Sequence, residues 1–81
     1  MRLDLFLKKT QLIKRRTIAK ELVLRDLAMI NGRVAKPSSE VKDNDIVDLK
    51  LGPRKIQVKA TIEIKGTKEF PSFELLKDEK E

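Results

Sequence analysis

The chain has 81 residues, 40% of them apolar, and contains neither cysteine nor histidine. That length holds one small domain, and the missing residue types exclude disulfides, thiolate or imidazole zinc sites and catalysis by histidine or cysteine. Nineteen Lys/Arg against thirteen Asp/Glu give a net charge of +6, concentrated at one end. Residues 1–33 hold nine cations and three acids, whereas residues 67–81 hold three and five.

Leu3, Phe6 and Leu7 recur at i, i+3 and i+4, the spacing of a short helix with one apolar face. Asp4 stands in its first turn and Lys8 and Lys9 in its last, both favourable to the helix dipole. After a connector around Thr10-Gln11, a second helix is predicted from about Arg15 to Arg25. Its buried stripe would be Ile18, Ala19, Leu22 and Val23, with an i, i+4 ion pair between Glu21 and Arg25. Asn31-Gly32, between Leu27–Ile30 and Arg33–Ala35, signals a two-residue hairpin, because both residues tolerate positive φ. Lys36-Pro37-Ser38-Ser39 reads as a loop, and Ile46, Val47, Leu49 and Leu51 as a strand that turns at Gly52-Pro53. Ile56, Val58, Ala60, Ile62 and Ile64 alternate strictly with polar residues, the pattern of a strand with one buried face. Beyond Gly66 the chain is charged and weakly patterned, with Phe70, Phe73, Leu75 and Leu76 as the residues that would tie it down. The expected architecture is α+β: two short N-terminal helices packed on a small, mainly antiparallel sheet. Residues 1–66 would form the domain and 67–81 a charged, partly docked tail.

The longest apolar run, Leu27 to Ile30, is far too short to span a membrane, and Met1 to Lys9, interrupted by Asp4, does not resemble a secretion signal. A cytoplasmic protein without a membrane partner is expected. Ser38 and Ser39 have no identifiable base, and a loop beside Pro37 explains them. Asp43-Asn44-Asp45 with Asp48 fails the EF-hand spacing, lacking both its glycine and its glutamate, so a turn is the better reading. The three glycines are isolated and form no phosphate-cradling loop. No catalytic residue, metal site or cofactor is expected.

What remains is charge. Lys8, Lys9, Lys14, Arg15, Arg16 and Lys20 follow one another without an intervening acid. Such a cluster opposes folding unless a polyanion neutralises it, which makes nucleic acid the leading partner. An acidic membrane or protein partner, or a solvated surface, are the alternatives on charge alone. The few aromatic residues, with Phe6 assigned to the core, favour recognition of phosphate and shape over stacking on splayed bases.

The order of four separated elements sharpens this. Arg2-Leu3-Asp4 with Leu7, then Arg15-Arg16-Thr17-Ile18-Ala19, then Asn31-Gly32-Arg33-Val34-Ala35-Lys36-Pro37-Ser38, and finally Val41 with Asp45-Ile46-Val47, resembles the RNA-binding domain named for small-subunit ribosomal protein four. The resemblance covers about residues 1–52. Leu12-Ile13-Lys14-Arg15-Arg16 narrows it to the stand-alone bacterial proteins of the heat-shock-protein-fifteen class, particularly those serving ribosome-associated quality control. It implies an RNA-binding protein that contacts rRNA and tRNA phosphates with a basic helix-turn-helix face, on large ribosomal subunits obstructed by peptidyl-tRNA; a monomer is expected. The matching RNA-facing residues are Arg2, Arg15 and Arg16. Lys8, Lys9, Lys14 and Lys20 would extend the surface, and Arg33 and Lys36 could join it from the hairpin side. Asp4 matches the family's acid; it would orient a neighbouring arginine, and compensation of the helix dipole explains it equally well. Asp26-Leu27 stands where the family usually has a glycine entering the first strand, Asn44 where it has a glycine before Asp45, and Gln11 where it often has arginine. The competing readings are a ribosome-assembly or tRNA-binding module with another structured RNA target, and a protein adapter.

Overall fold

A computed structural model describes residues 1–80. Two helices, α1 (Leu3–Lys9) and α2 (Arg16–Leu24), precede five strands: β1 (Ala28–Ile30), β2 (Arg33–Val34), β3 (Ile46–Leu51), β4 (Arg54–Lys65) and β5 (Lys68–Lys80). The strands form one antiparallel sheet in the order β2-β1-β3-β4-β5. This is the expected α+β arrangement.

The core forms where helix and sheet periodicities meet. Leu3, Phe6 and Leu7 of α1 and Ala19 and Val23 of α2 pack in one cluster with Ala28, Val47, Leu49, Val58 and Ala60 of the sheet. Truncating a fully enclosed side chain such as Leu7 would cost about 2–5 kcal/mol. The first turn of α1 is capped from a distance. Arg2, its N-cap, offers no side-chain acceptor. Instead the amides of Leu3 and Asp4 donate to the carbonyls of Ser39 (2.8 Å) and Pro37 (3.2 Å). The Leu5 amide donates to Asp4 Oδ1 (2.8 Å). The loop after β2 therefore holds the helix that begins the chain.

The Asn31-Gly32 hairpin forms as expected, with φ of 52° and 81°. Asn31 also clasps the turn to β3: its Nδ2 donates to Asp45 Oδ1 (3.0 Å) and its Oδ1 accepts from the Ile46 amide (2.9 Å). Asp43 and Asp45 spend their carboxylates on the backbone amides of Ile62 and Lys42, as a turn requires. Asp26 and Asn44, which replace expected glycines, both adopt left-handed backbone, with φ of 61° and 72°. Asp and Asn tolerate that region, so these departures preserve the local path.

Three expectations need correction. Ile18 does not join the buried stripe of α2 but is 48% exposed, because it lies at the edge of the arc centred on Ala19, Leu22 and Val23. The buried face of β4 runs out before Ile64, which is 70% exposed: the strand outruns the helices that cover it. Third, residues 68–80, read as weakly patterned, form the longest strand. It pairs with β4 along its length, with a register shift opposite Gln57/Val58. Phe70, Phe73, Leu75 and Leu76 stay substantially exposed on it. Strands of this length extend about 40 Å, matching the 41 Å long axis of the molecule.

Candidate RNA-binding surface

All nine cations singled out in the sequence are solvent-exposed. Arg2 caps α1, Lys8 and Lys9 end it, Lys14 lies in the connector, and Arg15 and Arg16 open α2, which also carries Lys20. Arg33 projects from β2, and Lys36 follows that strand.

The structure joins three of the predicted residues directly. Asp4 is 2% exposed, the one charged side chain buried among the described residues. Its Oδ1 lies 3.3 Å from Arg2 Nε, and its Oδ2 lies 3.3 Å from Arg2 Nη2 and 4.0 Å from an Arg16 guanidinium nitrogen. One carboxylate thus draws together arginines from two helices that would otherwise repel. Both guanidiniums remain more than half exposed, so their outward N–H groups stay available to an anion. The Arg2 contact is local in sequence, whereas Arg16 reaches Asp4 only because α2 packs against α1.

The start of α2 adds to this electrostatic picture. It has no side-chain cap and no acid in its first turn, and Arg15 and Arg16 occupy its positive end. That placement opposes the helix dipole and suits a helix start that meets a phosphate. Arg2 and Lys36 also come together, lining one groove between the end of α2 and the loop after β2. Lys8, Lys9, Lys14, Arg15, Lys20 and Arg33 are exposed and have no link to Asp4.

Sequence reasoning missed two residues at its margins. Leu24 is 63% exposed in the Arg2–Lys36 groove; its position two residues after Leu22, on the far side of the helix, was the available signal. Lys68 shares a second groove with Lys9, an approach that requires β5 and had no signal in the residue pattern. Among the described residues, no group of acids could hold a metal ion and no helix is long and apolar enough to cross a membrane.

Helix pair, buried acid and flanking arginines form a positive surface suited to a polyanion, and residues 1–47 match the family model of the S4 domain. The chain belongs to the S4 domain family. It is 44% identical over 84 residues to a Bacillus subtilis protein named "RQC P-site tRNA stabilizing factor", covering 99% of this chain and 96% of that one. A Halalkalibacterium halodurans protein of the same name is 44% identical over 69 residues, covering 85% of this chain and 74% of the relative. Among solved structures, the trimeric structure of Vibrio cholerae heat shock protein 15 matches with a TM-score of 0.71 and 28% identity. That match covers 80% of this chain and 65% of the other.

Proposed function

We propose that the protein is a non-enzymatic RNA-binding factor of ribosome-associated quality control. It binds large ribosomal subunits that carry peptidyl-tRNA, and it contacts rRNA and tRNA phosphates. The observation that carries this reading is the Arg2–Asp4–Arg16 cluster, a preorganised pair of cations at the junction of two helices. Similarity to relatives named for stabilising P-site tRNA supports the particular ribosomal setting. Arg2, Arg15 and Arg16 lead the contact surface, Lys8, Lys9, Lys14, Lys20, Arg33 and Lys36 extend it, and Asp4 orients the two arginines. Residues 1–66 supply the RNA-binding unit. The protein acts in the cytoplasm, as a monomer, without a metal or cofactor.

A basic surface alone gives adhesive, unselective binding. Selectivity for one ribosomal state arises when two weak RNA contacts on one rigid body are satisfied together. The test is co-sedimentation, at near-physiological salt, with purified large subunits that are empty or loaded with peptidyl-tRNA. The loaded species should be preferred, and Arg16→Ala should weaken that binding by about 1–3 kcal/mol with an intact circular dichroism spectrum. Equal binding to both subunits counts against the quality-control reading and favours a general RNA-binding module.

A further inference from the structure

The groove shared by Arg2 and Lys36 has a composition that phosphate contact leaves unexplained. Its volume is about 440 Å³, within the range of small-ligand sites, and it is lined by Val23, Leu24, Ala35 and Pro37, by the cations Arg2 and Lys36, and by Ser38 and the single acid Asp26, so its charge balance stays positive. Val23 and Ala35 are buried, whereas Leu24 is 63% exposed. Leu24 is one of several exposed apolar residues of the chain, and the one that lies in a groove with two cations.

The walls are fixed before any ligand arrives. Pro37 and Ser39 accept the first amides of α1, the Ala35 amide donates to Ala28 (3.0 Å), and Ser39 Oγ accepts from the Lys36 amide (2.8 Å). Arg2 is held by Asp4, which also faces Arg16, so the groove is continuous with the phosphate-binding surface.

We propose that this groove receives one unstacked nucleotide of the bound RNA, its base against Leu24 and Pro37 and its phosphate between Arg2 and Lys36. The inference deepens the RNA-binding reading and rests on it. An intact duplex presents phosphates and groove edges but no free apolar base face, and would leave Leu24 in water. A bulged nucleotide presents an anion and a flat, weakly hydrated ring in one unit, complementary to cations flanking an apolar floor. Aliphatic side chains replace the usual aromatic platform, because the chain's three phenylalanines lie elsewhere, Phe6 in the core and Phe70 and Phe73 on β5.

The experiment measures binding of the full chain to two stem-loop RNAs that differ by a single bulged nucleotide, by fluorescence anisotropy. The bulged RNA should bind several-fold more tightly, because covering Leu24 and Pro37 with a base removes apolar surface from water. Leu24→Ser, at an exposed position that leaves the fold intact by circular dichroism, should abolish that preference without changing affinity for the perfect stem. Arg16→Ala should weaken both RNAs equally. Equal affinity of the unmodified protein for the two RNAs overturns the proposal while leaving RNA binding in place. So does a Leu24→Ser variant that retains the preference. If Leu24→Ser leaves both RNA affinities unchanged yet weakens co-sedimentation with the large subunit, the groove serves a protein and the proposal fails. Failure of the unmodified protein to bind either RNA instead removes the RNA-binding reading itself.

Discussion

Asp4 performs two tasks that pull in opposite directions. Its negative charge lowers the positive potential of the surface, yet its geometry holds Arg2 and Arg16 together. The substitution Asp4→Asn retains an oxygen for the Leu5 amide and removes the charge that organises the arginines. If orientation dominates, RNA affinity falls by about 1 kcal/mol, because charge-assisted bonds to phosphate depend on alignment. A gain in affinity on titration with a labelled stem-loop would show that summed charge outweighs geometry. Gln11 offers a separate test. It follows the end of α1 in left-handed backbone, with φ of 61°, a conformation that disfavours side chains other than Asn and Asp. Gln11→Gly should raise stability by about 0.5–1 kcal/mol, the relief of strain less the added freedom of the unfolded chain. A denaturant midpoint that does not move would show that Gln11 makes a compensating contact.

The elements differ in how plainly they could be read. Both helices were legible because each buries one face at a fixed period, Ile18 excepted, and the hairpin because Asn31 and Gly32 tolerate the positive φ that its turn requires. β5 was not, for two physical reasons. It is an outer strand, so neither face is fully buried, and the extra residue at its register shift, Leu76, breaks the two-residue alternation. The end of β5 is tied to β4 by Arg54, which donates through Nε to Asp78 Oδ1 (2.7 Å) and through Nη2 to Asp78 Oδ2. That hydrogen-bonded pairing holds the Asp78 carboxyl below its ordinary range. A depressed folded-state pKa means that the contribution is present at neutral pH and is lost as pH falls below the usual carboxylate range. Acidification should therefore reduce the difference in stability between the unmodified protein and Asp78→Asn. Both side chains are solvent-exposed, so the effect should be small and weakened further by salt. A difference that is independent of pH would assign the effect of the substitution to something other than the ion pair.

At the scale of the molecule, the candidate site was legible in part. The cations were evident from composition, but the burial of Asp4 and the meeting of Arg2 with Arg16 and Lys36 arise only when α1, α2 and the loop after β2 converge. Four neutralised phosphates would give a slope of log affinity against log salt of magnitude ~3, and a drop of roughly 50–100-fold between 50 and 200 mM salt. A nearly flat response in the same titration would favour the adapter reading over phosphate-led recognition.

The remote capping of α1 also has a consequence in time. The basic segment is synthesised before the strands, yet the carbonyls that satisfy the leading amides of α1 belong to Pro37 and Ser39, and the apolar face of that helix packs against strands that reach to Ala60. Until that stretch has been made, roughly 3–12 s at ordinary elongation rates, the cluster of positive charge is an unshaped polymer. Throughout that interval it lies beside the class of RNA it is proposed to recognise. Recognition is therefore delayed relative to charge: the nascent chain is attracted to RNA before it can discriminate, and selectivity begins when the central strands close over α1.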